Sequence, residues 1–492
     1  MENHRLISAL VIGGLLEISG CSDTCSSWWS CPNAGTVDTD MGVPPGSAPY
    51  VKWSPARVPI GAPTIEILAG RASDATVTLE QINKSSISVN VTQRTNNNDG
   101  TWWLTLETPS SSWTTLSAGT ANLVLSNKDG NASKELILVK PAFSMPLSYT
   151  TLAASQLLSM GLIDNKVNVF GIDSFKQIWA WEYQNGTLIN QIPSLMTNQS
   201  YFALTNFLQY GYTSFVSISK PPSQQVFHSY APIAGNGYNS YACFNSPWKN
   251  VNIASIAVGD LDRGRALLVL EDIQSNLYSC IFSADTNMSG SCVGQSVKPT
   301  AVPMTMWVRS LDTTTGIGQI VALGAGGLSI WASDSNGNLT DRTTAAGLVK
   351  RTDLNLLAVE DMDGDKSPDL VGVSPSAVVV FLNNGRGVFR EVKTSLPSLS
   401  VKTVTLGDID KDGRPDVILT AVSTGKVWVL LNAADDGIGN GRLVGPTDTG
   451  IAVGDGGVLT LDGQDVQGTG RRIIWHNPGN LTLNVANNLT LP

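Results

Sequence analysis

The sequence predicts an all-β fold on three observations. Charged residues make up only 14% of the 492, while glycine alone occurs 47 times, a balance suited to strands and turns. Short apolar, β-branched runs recur between turn signals such as NNNDG and NKDGN. An anchor residue followed by an apolar run and a hairpin recurs seven times in the second two-thirds of the chain.

Residues 54–142 carry the runs PTIEILAG, ATVTLEQI, SISVNVTQ, TWWLTLET, TANLVLSN and ELILVK. Strands this short and this closely spaced predict a β-sandwich. Trp102 and Trp103 are adjacent, so in a strand one faces the core and the other points outward. The outward ring either covers a sheet edge or offers a platform to a sugar or protein partner.

From 143 to 492 the anchors are Asp164, Asn206, Asp260, Asp312, Asp361, Asp408 and Asp465, separated by 42, 54, 52, 49, 47 and 57 residues. Each begins a unit of strand, loop, strand, strand, turn and strand, with hairpins such as IWAWEYQNGTL, LSIWASDSNGNLTD and VVVFLNNGRGVF. Seven four-stranded units predict a seven-bladed β-propeller, whose radial repetition leaves few sheet edges exposed. Trp179, Trp181, Trp331, Trp428 and Trp475 recur near the middle of these units, either packed between blades or presented as a platform.

Two of the loops are strongly acidic. DIDKDGRPD (Asp408–Asp416) and DMDGDKSPD (Asp361–Asp369) place aspartates at loop positions 1, 3, 5 and 9. Hard carboxylate oxygens gathered by one tight turn suit Ca²⁺. An EF-hand would need a Glu at position 12 between helices, but Leu419 and Gly372 stand there inside β-type runs. These are calcium loops between strands.

This loop, followed by a hairpin such as LNNGRGVF (Leu382–Phe389), resembles the FG-GAP/VCBS repeats of integrin-type propellers. The resemblance implies calcium ligands at Asp361, Asp363, Asp365 and Asp369 and at Asp408, Asp410, Asp412 and Asp416, with backbone carbonyls from Ser367 and Arg414. It also implies that the ions staple blades and do no chemistry. One loop departs from the pattern, with Lys366 where the other has Gly413, and a third keeps only Asp260 and Asp262. The stretch LSAGTANLVLSNKDGNASKELILVK resembles the end of an immunoglobulin-like IPT/TIG domain, which makes the sandwich Ig-like.

At the N-terminus, the apolar run Leu6–Leu16 is too short to span a bilayer and sits where a secretory signal would. Ile18-Ser19-Gly20-Cys21 follows and resembles a bacterial lipobox, which implies lipid on Cys21 after removal of residues 1–20. Ser22, in place of Asp, implies delivery to the outer membrane. The alternative is an ordinary cleaved signal. Residues 21–53 are polar and turn-rich and read as a flexible tether.

Six cysteines fit an oxidising compartment. Cys25 with Cys31 and Cys280 with Cys292 are candidate local disulfides or pairs of buried thiols, and Cys243 is left over. The net charge of −9 and the lack of a Lys/Arg cluster argue against a nucleic-acid partner.

Only His4, His228 and His476 are available for acid–base or zinc chemistry, and no nucleophile-elbow, phosphate-loop or dinucleotide motif appears. No catalytic residue is therefore assigned. The sequence reads as a non-enzymatic cell-surface lipoprotein, membrane-anchored through Cys21, that binds a protein or polysaccharide of the envelope or serves an envelope assembly. The competing reading is a carbohydrate lyase or hydrolase using the propeller face.

Overall fold

The computed structural model describes residues 48–140 and 251–453 apart from short turns, and within 147–242 and 458–487 the strands alone. All of these belong to one compact unit, 46–492.

The N-terminal part is one continuous eight-stranded sheet. Its strands are β1 (Tyr50–Trp53), β2 (Arg57–Pro59), β3 (Thr64–Gly70), β4 (Thr76–Glu80), β5 (Ile87–Asn96), β6 (Thr101–Glu107), β7 (Gly119–Asn127) and β8 (Gly130–Val139). They lie in the order β1-β3-β6-β5-β4-β7-β8-β2, and only β2 and β8 pair in parallel. The sheet starts at Tyr50, inside the segment read from sequence as tether.

The sheet folds over because β5 serves both halves. Ile87–Val89 pair with β4, and Asn90–Asn96 pair with β6 across a register shift between Val91 and Gln93. A shift of this kind bends and twists a strand, letting one strand cross between layers. The core follows the period of two: Ile65 and Ile67, Val77 and Leu79, Leu104 and Leu106, Leu123 and Leu125, Leu136 and Leu138 all point into one cluster. Outside the strands the described helix content of this part is a single 3₁₀ turn, Ser112–Thr115. Among the described residues no helix is long and apolar enough to cross a membrane.

The remaining strands form seven four-stranded antiparallel meanders. We number them sheets 1 to 7: 154–192, 199–242, 253–297, 303–341, 356–395, 401–452 and 458–487. The seventh takes its outer strand, Leu147–Tyr149, from the start of the region, so residues far apart in sequence share one sheet. First strands of consecutive sheets lie against one another, and that of sheet 7 lies against that of sheet 1. The approach is close: a Cβ on Gly259, in the first strand of sheet 3, would sit 2.1 Å from the Val308 carbonyl oxygen of sheet 4.

Burial explains the sequence pattern within a sheet. In sheet 5 the middle strands Asp369–Ser374 and Ala377–Asn383 are buried at every position, while the outer strand Phe389–Ser395 alternates. A strand covered on both faces has no polar side, which is why AVVVFLN is a continuous apolar run. The fillers come from adjacent sheets. Leu328 and Ile330 of sheet 4 meet Val379 and Phe381 of sheet 5, and Val378 and Val380 of sheet 5 meet Leu419 and Leu430 of sheet 6. Trp331 packs with Val269 and Ile281 of sheet 3, and Trp428 packs against the cluster between sheets 5 and 6. Both rings serve packing. Trp179, Trp181 and Trp475 have side chains outside the described residues.

The anchors fall where first strands end. Asp260 and Asp312 are the last residues of theirs, Asp361 and Asp408 follow Glu360 and Gly407, and Asn206 is next to last. Asp164 and Asp465 lie outside the described residues.

The sandwich is seated on sheet 6. Ala433 and Val444 belong to its core cluster, and Val139 joins the cluster of Ile418, Val429 and Ile451. Arg442 reaches from sheet 6 to pair with Glu66 of β3 and lays its guanidinium 3.4 Å from the centroid of the Trp103 ring. Trp103 also meets Trp53 edge-on at 5.6 Å. The outward tryptophan thus covers a junction within the chain. Arg442→Ala removes a cation–π contact and a partly exposed ion pair. We expect a loss of about 1–2 kcal/mol in chemical denaturation of the full chain.

Candidate metal centre

The two acidic loops join the first and second strands of sheets 5 and 6, and they repeat one hydrogen-bond scheme. The position-1 carboxylate accepts backbone N–H groups from the far side of the turn. Asp361 accepts from Gly364 at 2.7 Å and Lys366 at 2.8 Å, and Asp408 accepts from Asp412 at 3.1 Å and Gly413 at 2.9 Å. The position-5 carboxylate accepts from two residues on, Asp365 from Ser367 at 2.7 Å and Asp412 from Arg414 at 2.9 Å.

Position 9 is buried most deeply. Asp369 and Asp416 are both 0% exposed. One oxygen of each accepts the N–H of loop position 2, from Met362 at 2.8 Å and from Ile409 at 2.7 Å. The other accepts the backbone N–H of an asparagine in the third strand, Asn383 at 2.7 Å and Asn432 at 2.8 Å. That asparagine's amide then donates backward to the preceding sheet: Asn383 to the Leu311 carbonyl at 2.8 Å, and Asn432 to the Met362 carbonyl at 2.6 Å. Asn383 and Asn432 thus complete the hydrogen-bonding of each loop, and the aspartate motif alone does not include them. Their signal was present, since each follows an apolar run at the same place, FLNN and LLNA.

Three carboxylates converge in each loop. Ligand oxygens of Asp361, Asp363 and Asp369 lie within 4.8 Å of one another, as do those of Asp408, Asp410 and Asp416. The position-5 residues Asp365 and Asp412 are outside these two groups. The donor set is oxygen only, without nitrogen or sulfur, and is largely buried; that chemistry fits Ca²⁺ and does not fit zinc. Asp262 lies outside the described residues, as does the side chain of Asp260.

Departure from the loop pattern has a geometric cost. Gly413 holds φ 92° at position 6, and Lys366 is held at φ 71° in the same place. A side chain in the left-handed region is strained by about 1–2 kcal/mol. The loop at Asp361 carries that strain in order to keep the Lys366 N–H on Asp361.

Crowded carboxylates titrate abnormally without a cation. Burial pushes Asp369 up to about 8, against the two backbone hydrogen bonds it accepts. Burial and the Asp410 charge push Asp412 up to about 6 and hold Asp416 well above the usual range. Burial also raises Asp363, helped by the charge of Asp365.

Cys280 is disulfide-bonded and stands opposite Cys292 in the hairpin that closes sheet 3. Cys21, Cys25, Cys31 and Cys243 lie outside the described residues. So do the side chains of His228, in the strand Val226–Tyr230, and His476, in the strand Arg472–His476.

Residues 361–419, which span both loops, match the family model of the FG-GAP-like repeat. No protein of curated function matches the chain. Among solved structures, the BP39L lectin of Burkholderia pseudomallei is similar at 13% identity and a TM-score of 0.48, over 67% of this chain and 95% of that one. A lectin of Agrocybe aegerita that recognises non-reducing terminal N-acetylglucosamine aligns at 12% identity and 0.40, over 68% and 90%. AofleA of Arthrobotrys oligospora aligns at 10% and 0.41, over 67% and 96%.

The raised carboxylates set a pH dependence. Asp369 and Asp412 hold protons in the folded chain that an unfolded chain has released, so their contribution is full below about pH 4 and is lost as pH rises through about 6 and 8. In EDTA the melting temperature should therefore fall between pH 5 and pH 8. Millimolar Ca²⁺, which favours the ionised carboxylates, should flatten that slope in the same thermal scans.

Proposed function

We propose that the chain is a seven-bladed, calcium-braced propeller carrying an Ig-like sandwich, and that it acts by binding a protein or polysaccharide of the bacterial cell envelope. One observation carries this reading. The densest chemistry among the described residues, the two aspartate loops, is largely committed within the fold: its carboxylates accept backbone N–H groups of their own turns, and Asp369 and Asp416 also accept from the third strand of their sheet, while Asp365 and Asp412 stay exposed. Groups committed in that way brace a scaffold and do not face a substrate.

In this reading Asp361, Asp363, Asp365 and Asp369 hold one Ca²⁺, and Asp408, Asp410, Asp412 and Asp416 hold a second. The ion neutralises carboxylates that would otherwise repel, so binding stabilises the blade that contains it. Lipid on Cys21 anchors the chain to the outer membrane, and the polar segment read as a 21–53 tether, shortened by the strand that begins at Tyr50, lets the folded part stand away from it. The loop faces of the seven sheets are left to meet the ligand.

The calcium role is tested by thermal unfolding and calcium stoichiometry. EDTA should lower the melting temperature by several degrees, and replacing Asp410 and Asp412 together by Asn should remove one bound Ca²⁺ per chain. An unchanged melting temperature and stoichiometry would sink the role.

The binding and anchoring roles are tested on membranes. Wild-type protein should incorporate a fatty-acid probe and retain an envelope protein or polysaccharide on purification, whereas Cys21→Ser should lose the label. A wild-type chain with neither label nor retained ligand contradicts the reading.

A further inference from the structure

The two loops share a sequence pattern but differ in what holds the outer oxygen of the position-3 aspartate. In the loop at Asp361, Asp363 accepts a hydrogen bond from the neutral amide of Asn440, at 3.2 Å, from the adjacent sheet. In the loop at Asp408 the same place is taken by a cation from the sandwich. Arg57 lies with Nη1 3.0 Å from Asp410 Oδ2, and the same nitrogen donates to the Asp410 carbonyl oxygen at 2.7 Å. The Asp410 side chain is 1% exposed, so water does little to screen this contact.

Arg57 is delivered rigidly. It opens β2, a three-residue strand paired in parallel with β8. The backbone is fixed on both sides of it, by Ile137 N–H donating to the Ala56 carbonyl at 2.8 Å and Ile60 N–H donating to the Val139 carbonyl at 2.7 Å. Through Nη1, Arg57 donates to the Asp410 backbone carbonyl and pairs with the Asp410 carboxylate. The guanidinium is thus held by one of the three carboxylates, Asp408, Asp410 and Asp416, that converge as candidate metal ligands.

We infer that Arg57 is a tethered cation for the loop at Asp408, so that this guanidinium and a divalent ion compete for the same aspartates. The two loops are then unequal: the loop at Asp361, with a neutral amide on its position-3 residue, binds Ca²⁺ tightly, and the loop at Asp408 binds it weakly. By reciprocity, filling the weak loop loosens the Arg57 contact of the sandwich, while a seated Arg57 disfavours the ion. Metal-free chains keep the loop compensated by Arg57. This inference rests on the calcium reading above.

Calcium titration calorimetry on the full chain tests it. Wild type should show two steps, the weaker of which disappears in the double Asp410→Asn, Asp412→Asn variant. Arg57→Gln should tighten that weaker step about tenfold and leave the stronger one unchanged. Arg57→Lys keeps the charge and should stay near wild type. Arg442→Gln loosens the same junction without touching the loop and should leave both steps alone, which separates charge competition from general loosening.

A weaker step that is unchanged or weakened in Arg57→Gln overturns the inference while leaving the calcium reading intact. Absence of calcium binding in both wild type and Arg57→Gln overturns the two together.

Discussion

A buried carboxylate organises sheets 5 and 6, Asp369 in the first and Asp416 in the second. Each is removed from water, and each spends both oxygens on backbone N–H groups, one at the start of its loop and one in the third strand. A buried carboxylate without partners is costly, so this arrangement depends on satisfying both oxygens and on neutralising the charge, by a proton or by a cation. The backbone groups need the carboxylate equally, because an unpaired buried N–H carries its own penalty. The turn and the placing of the third strand are therefore solutions to one electrostatic problem.

From that point the bonds lead outward. Asn383 couples the Asp369 carboxylate to Leu311 of sheet 4, and Asn432 couples Asp416 to Met362, which is itself in the loop of sheet 5. Asn440 then touches Asp363, and Arg57 touches Asp410. A line of polar contacts runs from sheet 4 through both acidic loops to the sandwich. Apolar packing fills the space between sheets. The two asparagines add directional hydrogen bonds from one sheet to the preceding one, at the end of the sheets where the loops are.

What the sequence disclosed was the local part of this design. Within each acidic loop the aspartates lie within nine residues of one another, and a repeat of strand, loop and hairpin can be counted from the anchor spacing, so the ends of the first strands were legible at Asp260, Asp312, Asp361 and Asp408. The long-range part was not. Asn383 and Asn432 looked like hairpin residues because their partners, Leu311 and Met362, are about seventy positions away. Arg57 is separated from Asp410 by 353 residues, and nothing in RVPI marks it as anything but a strand start. The sequence leaves open which of Trp102 and Trp103 points outward and whether it covers an edge or offers a platform; the structure lays Arg442, from sheet 6, on Trp103. The sandwich likewise proved to be one sheet folded at β5, because a register shift leaves no compositional mark.

The junction between sandwich and sheet 6 is reciprocal, and this shapes what a cation can do there. Arg57 goes from the sandwich into the loop of sheet 6, and Arg442 goes from sheet 6 onto Glu66 and Trp103 of the sandwich. The two guanidiniums face different environments. Arg57 rests on carboxylates that a divalent ion would claim, whereas Arg442 rests partly on an aromatic face that no such ion would claim. Around them, Ala433, Val444 and Val139 tie the apolar cores together. An ion entering the loop at Asp408 would therefore act on one of the two polar fastenings seen among the described residues and on none of the apolar contacts. The sandwich would then stay seated, with the effect confined to the β2 edge beside the loop.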